Sequence, residues 1–166
     1  MNPAALLKSP RTPFLLVLVA GLALTTGGVI FSHFLNLAAC PLCILQRMVY
    51  LSLGLLAVPG LLVAKLPWGR RLVALAMAIG AGTGVFIAGY QVWIQRFSPS
   101  TTCGGVMTWW EELVDWAGEQ VPLLFQASGL CSDPAWTLFG LSIAEWSLGF
   151  FTLLLLLSLH TLFRRR

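Results

Sequence analysis

Residues 40–63 read CPLCILQRMVYLSLGLLAVPGLLV. The stretch from Ile44 to Val63 is apolar apart from a few positions and has the length of a membrane span, about 20 residues. Two cysteines, Cys40 and Cys43, stand at its mouth. Pro41 fits the first position of a helix, where its missing N–H costs nothing. Cys43 then falls in the first turn, where the helix dipole favours a thiolate. Arg47 lies four residues further on, on the same face. A charged residue inside a span costs about 2.5–3.5 kcal/mol on insertion scales and is usually functional. Arg47 is thus suited to stabilise the Cys43 thiolate or to bind a polar ligand at the membrane edge. The alternative is an arginine that snorkels to the headgroups.

The rest of the chain repeats this pattern. Of its 166 residues 58% are hydrophobic and 10% charged, whereas soluble domains carry roughly 25% charged residues. Most of the surface must therefore face lipid. Spans are predicted at about 14–34, 44–63, 72–94 and 144–163, with outer loops at 35–43 and 95–143, in a single membrane domain covering 1–166. The predicted fold is all-α: an integral membrane four-helix bundle. A cleaved signal peptide would have an apolar region of about 7–15 residues; the first run is longer, which favours a retained span. Leu37-Ala38-Ala39-Cys40 resembles a lipoprotein cleavage box, but the preceding run is too long for one and a second span follows at once. The glycines of the third run, Gly80, Gly82, Gly84 and Gly89, have no lysine nearby and read as close helix packing rather than a phosphate loop.

Charge orients the bundle. Lys8, Arg11, Lys65, Arg70, Arg71 and Arg164 to Arg166 are eight of the ten basic residues. All fall on one side of a four-span chain, the side that the positive-inside rule makes cytoplasmic. Arg47 and Arg96 are the exceptions. The basic residues form no patch with aromatic readers, so no nucleic-acid partner is expected. Both termini are expected in the cytoplasm and all four cysteines on the opposite, disulfide-permissive side. Within the long outer loop, Val106 to Val121 predicts a short amphipathic helix. Trp109, Trp110, Leu113, Trp116 and Ala117 gather toward one face, which suits a helix lying on the lipid bilayer surface. The alternative is a helix packed on its own loop.

Four cysteines admit three chemistries. A zinc site would need four ligands; His33 and His160 are expected near opposite membrane faces, and Cys103 and Cys131 lie 28 residues apart, so no metal is expected. Covalent haem needs histidine after the second cysteine, and Ile44 stands there. A structural disulfide between Cys103 and Cys131 would add roughly 3–4 kcal/mol by loop closure. For Cys40 and Cys43 that reading is poor, because so small a ring removes little chain entropy. Strained, exposed disulfides are the labile and catalytic ones, which favours redox exchange as the third reading, beside a four-cysteine site or a loop staple.

The four-span layout, the Cys40-Pro41-Leu42-Cys43 motif with Arg47, the loop pair Cys103 and Cys131, the segment Gln126-Ala127-Ser128-Gly129-Leu130-Cys131, and Trp136 and Gly140 together resemble the bacterial disulfide bond formation protein B family (DsbB). The resemblance covers nearly the whole chain. It implies a thiol oxidase of the bacterial inner membrane that reoxidises a periplasmic DsbA-like dithiol oxidase and passes electrons to ubiquinone or menaquinone. It further implies that Cys103 is attacked by the DsbA thiolate, that Cys131 is released and attacks Cys40, and that Cys43 faces the quinone with Arg47 on the quinone oxygen. In one respect the chain departs from the pattern. Many members carry a histidine late in the third span, in a run resembling His-Val-Trp-Leu-Gln; here it is Gln91-Val92-Trp93-Ile94-Gln95. Gln91 can hydrogen-bond a quinone but cannot titrate. The alternative is that it lines a polar gap between helices.

Two other classes compete. A quinone reductase of the vitamin K epoxide reductase type shares four spans and a CxxC, but its CxxC sits late in the helix order, whereas here it opens the second span. A non-enzymatic subunit or small transporter with stapled loops is the other. The spans offer it no acidic residue to couple an ion.

Overall fold

The computed structural model describes residues 9–97, 109–134 and 136–164. Four long helices carry the chain: α1 (Thr12–Phe34), α2 (Pro41–Val63), α3 (Pro67–Phe97) and α6 (Ile143–Phe163). Each is long and apolar enough to cross a membrane. The chain preceding α6 forms α4 (Trp109–Gln120), the single turn α5 (Pro122–Phe125) and a hairpin of β1 (Thr137–Leu138) and β2 (Leu141–Ser142). The protein is an all-α, multi-pass membrane bundle.

Two helices start well before the point that hydrophobicity alone predicts, by three and five residues, and in both a proline sets the start. Helix α2 begins at Pro41, not Ile44, and α3 at Pro67, not Leu72; proline at the first turn gives up no helical hydrogen bond. The connection between them shrinks to residues 64–66, and Arg70 and Arg71 become part of α3. At 31 residues, α3 is about 46 Å long and outruns a hydrocarbon core of about 30 Å. Pro59 does not end α2, which continues to Val63.

Helix α1 packs on α2, α2 on α3 and α3 on α6, while α1 and α6 meet only sparsely. Phe14, Val17, Tyr50, Leu53, Ala57, Met77, Ala81 and Phe151 form the buried centre. Lipid tails are as apolar as these side chains, so close packing rather than water exclusion must hold the helices together. At the α1–α2 crossing a Cβ on Gly21 would come within 2.7 Å of the Tyr50 carbonyl oxygen. At the α3–α6 crossing the Phe151 ring occupies the space a side chain on Gly84 would need. Gly80 lies close to Leu53, but a Cβ on Gly82 would meet nothing within 4 Å. Close packing therefore accounts for two of these third-span glycines and not for Gly82.

Polar contacts fasten α3 to α6 at both ends. On the side of the cysteines, Arg96 Nη2 and Nε donate to Glu145 Oε1 at 2.7 and 3.1 Å. Glu145 also caps its own helix: its Oε2 accepts from Ser142 N, and Ser142 Oγ accepts from Glu145 N. Arg96, one of the two exceptions to the charge pattern, thus has a carboxylate partner. At the opposite end, Arg70 Nη2 donates to the Arg164 carbonyl at 2.8 Å.

Helix α4 has a broad apolar arc that divides in two. Val114 and Ala117 are buried, and Trp110 packs against the cysteine cluster. Trp109 (77% exposed), Leu113 and Trp116 (60% exposed) point outward. The predicted single apolar face is therefore half protein contact and half open. The outward half, rich in tryptophan, suits the headgroup layer. Val106 to Thr108, the predicted start of this helix, lie outside the described residues.

The β-hairpin turns on Phe139 (φ 53°) and Gly140 (φ 78°). Two consecutive positive φ values are what a two-residue turn of type I′ requires, and glycine supplies the second without steric cost. The Trp146 indole donates to the Leu138 carbonyl at 3.3 Å, and Trp136 meets Phe31 edge-on. The hairpin is thereby held over the outer end of α1 and α6.

Candidate active site

The site starts where α1 stops. Asn36 takes a left-handed conformation (φ 48°), and Leu37 N donates back to the Ser32 carbonyl at 2.9 Å. This is a Schellman-type ending with asparagine in the position that glycine usually fills. The chain reverses and reaches Cys40, which caps α2. Cys40 Sγ accepts from Cys43 N at 3.4 Å and donates to Cys43 Sγ at 3.0 Å. The CxxC is therefore the first turn of α2, as Pro41 predicts, and its sulfurs are in direct contact.

The long loop folds back onto this turn. Ser128 N and Gly129 N both donate to the Ala39 carbonyl, at 2.9 and 3.0 Å. Gly129 lies so close to the Ala38 carbonyl oxygen that a Cβ could not be accommodated. Two residues later Cys131 is buried (1% exposed) and hydrogen-bonds Cys40. Cys40, Cys131, Leu42, Ile87 and Ile94 form one cluster, with Cys43 and Trp110 against it. The Cys40 thiol is pushed well above its ordinary pKa, first by the hydrogen bond with Cys131, then by that with Cys43 and by burial. Three of the four sequence-predicted cysteines are thus brought together. The fourth, Cys103, lies outside the described residues.

Gln91, from α3, reaches the same sulfurs. Its Nε2 donates to Cys43 Sγ at 3.1 Å and to Cys40 Sγ at 3.3 Å. Its Oε1 accepts from Gln46 Nε2 at 2.7 Å. Arg47 is turned toward α1 and α5: Nη2 donates to the Gly28 carbonyl at 2.8 Å and to Ser32 Oγ at 3.1 Å, and Nη1 to the Leu124 carbonyl at 3.3 Å. One guanidinium thus ties three helices together beside the cysteines. Arg47→Lys is expected to lower stability by about 1–3 kcal/mol, because a single ammonium cannot span these three acceptors. A fall in the melting temperature of the detergent-solubilised protein checks this.

Arg47, Cys43, Gln46 and Gln91 are among the residues that line a cavity of about 500 Å³, within the range of small-molecule sites. Leu24 and Phe31 of α1, Trp146 and Phe150 of α6 and Leu138 of the hairpin also line it. Tyr50 also reaches the wall, with its hydroxyl paired to Ser147 Oγ at 2.9 Å. The arrangement can exchange disulfides among Cys131, Cys40 and Cys43 and present Cys43 to an apolar ligand. Sequence reasoning overlooked Gln46. The available signal was a second polar residue beside Arg47 in an otherwise apolar run.

Comparison with known proteins identifies the family. A family profile described as "Disulfide bond formation protein DsbB" matches residues 10–161. The chain is 42% identical over 129 residues to Disulfide bond formation protein B of Dechloromonas aromatica, covering 76% of each chain. It is 32% identical over 168 residues to the protein of that name from Nitrosospira multiformis, covering 94% of each. Disulfide bond formation protein B 1 of Pseudomonas aeruginosa is 32% identical over 161 residues, covering 96% of this chain and 98% of that relative. The chain belongs to the disulfide bond formation protein B family, membrane oxidoreductases that support disulfide bond formation.

Proposed function

We propose that the whole chain acts as one membrane domain, a dithiol:quinone oxidoreductase that reoxidises a periplasmic DsbA-like thiol oxidase at the expense of ubiquinone or menaquinone. The observation that carries this reading is the contact of Cys131 with Cys40, and of Cys40 with Cys43, at the wall of an apolar cavity. In the proposed orientation the termini are cytoplasmic and the cysteine loops periplasmic, in the bacterial inner membrane. Arg70 and Arg164 mark the cytoplasmic end.

The cavity fits a quinone. Its walls are mostly apolar, with Gln46, Arg47, Gln91, Gln95 and Asp133 among the polar side chains that line it. Gln95 Oε1, in the same wall, is buried and lacks a hydrogen-bond partner among the described residues. Arg47 would hold a quinone oxygen and Gln91 would stand beside it. A bound quinone supplies a two-electron, two-proton acceptor.

The residues then exchange disulfides in sequence. A DsbA thiolate attacks Cys103 of a Cys103–Cys131 disulfide, and Cys131 leaves as thiolate. Cys131 attacks Cys40, and Cys43 is released as thiolate into the cavity wall, where the Gln91 amide and the first turn of α2 stabilise it. The second DsbA thiol displaces Cys103, which reclaims Cys131 and frees Cys40. Cys40 and Cys43 then close to a disulfide, giving up two electrons and two protons. DsbA is itself a strong oxidant, near about −120 mV, so its reoxidation needs a stronger sink than an ordinary thiol pool.

Anaerobic mixing of the purified protein with reduced DsbA and ubiquinone tests this. Thiol oxidation matched by quinone reduction is expected; oxidation with no quinone consumed would overturn the proposal. In Cys103→Ser, the mixed disulfide with DsbA is expected to vanish from non-reducing gels while Cys40 and Cys43 still react with quinone. An undiminished DsbA adduct in that variant would remove Cys103 from its role.

A further inference from the structure

The hydrogen bonds around the CxxC run in one direction. Gln91 Nε2 donates to both sulfurs, at 3.1 Å to Cys43 and 3.3 Å to Cys40. A primary amide turned by half a rotation would present its oxygen to the same sulfurs instead, and a carbonyl oxygen repels a thiolate. What opposes that turn is Gln46: its Nε2 donates to Gln91 Oε1 at 2.7 Å, and a turned Gln91 amide would meet it donor to donor. Both side chains are buried, Gln46 at 4% exposure and Gln91 at 2%. With water this scarce, each polar group depends on its protein partner. Gln46 does not itself hydrogen-bond either sulfur among the described residues.

We infer that Gln46 is a positioning residue: it locks the Gln91 amide with its donors toward Cys40 and Cys43, and so favours the reduced pair over the disulfide. A thiolate is a stronger acceptor than a disulfide sulfur. Donors fixed on the pair therefore stabilise the form that has gained two electrons. The inference rests on the reading of Cys40 and Cys43 as a redox pair and extends it to a residue one shell further out.

The test is redox equilibration of the full chain in lipid vesicles against a glutathione buffer. The oxidised pair takes two electrons and two protons from two glutathiones, which leave as glutathione disulfide. The reduced fraction of Cys40 and Cys43 is read by differential alkylation and peptide mass spectrometry. Gln91→Met is expected to shift the equilibrium constant about tenfold toward the disulfide, a potential lower by about 30 mV. Gln46→Met is expected to shift it the same way by about three- to tenfold. The double variant should shift no further than Gln91→Met alone, because Gln46 acts only through Gln91. Gln46→His, which keeps an N–H donor, should restore most of the wild-type value and provides a second variant if Gln46→Met does not fold. Independent, additive shifts from the two methionine variants would overturn the inference, as would an unchanged constant in Gln46→Met. A wild-type protein whose Cys40 and Cys43 show no redox transition would instead overturn the underlying reading.

Discussion

Cys43→Ser is expected to bring quinone-coupled oxidation of DsbA down to the protein-free rate. Of the cysteines brought together, Cys43 is the one that sits at once in the first turn of α2, under the Gln91 amide and in the cavity wall. Serine at that position can form no disulfide and offers no thiolate. The exchange upstream should survive. Cys40, left without its neighbour, is in contact with Cys131 and can attack the Cys103–Cys131 disulfide. A Cys40–Cys131 disulfide should therefore accumulate, with Cys103 released as a thiol. Stopped-flow absorbance of the quinone reads the first effect, and peptide mapping without reductant reads the second. Sustained quinone reduction in Cys43→Ser would show that another group passes the electrons on.

Gly129→Val is expected to cut DsbA-dependent turnover by about a hundredfold, the scale on which a misplacement near 1 Å acts. The obstacle is backbone: the Ala38 carbonyl oxygen stands where the new Cβ would go. A side chain could rotate away, but a main-chain carbonyl held next to the α2 cap cannot. The loop must lift, and Ser128 and Gly129 lose their shared acceptor, the Ala39 carbonyl. Cys131 then leaves Cys40. The CxxC does not depend on this docking, since its own geometry comes from the α2 cap. Dithiothreitol, small enough to reduce Cys40–Cys43 directly, should support quinone reduction in the variant at close to the wild-type rate. A loss of the dithiothreitol reaction as large as that of the DsbA reaction would mean that the loop holds the whole site together, contrary to this account.

The two halves of α4 bear on where the outer loop sits. Trp109, Leu113 and Trp116 are open while Trp110, Val114 and Ala117 pack inward. A helix anchored on both sides in this way would hold the loop that carries Cys131 at a constant height above the bilayer. The apolar arc was legible from residue spacing; its division was not, because nothing in the periodicity distinguishes a tryptophan that meets protein from one that meets lipid.

The same boundary runs through the whole molecule. The four spans, the opening of α2 at Pro41, the place of Cys43 in its first turn and the placing of Arg47 on the Cys43 face all follow from residue type and spacing. Those features depend on hydrophobicity over some twenty residues and on backbone rules that act within one helical turn. The meeting of Cys131 with Cys40 did not follow, because 91 residues separate them in the chain and the contact hangs on two hydrogen bonds to a single carbonyl, that of Ala39. Nor did the Gln46–Gln91 pair, 45 residues apart, whose direction matters only once both amides are buried beside sulfur. Local chemistry placed a reactive pair at a helix mouth. Packing between α1, α2, α3 and α6, with the outer loop folded back over them, brought Cys131 and the Gln91 amide to the pair and formed the apolar cavity that Cys43 lines.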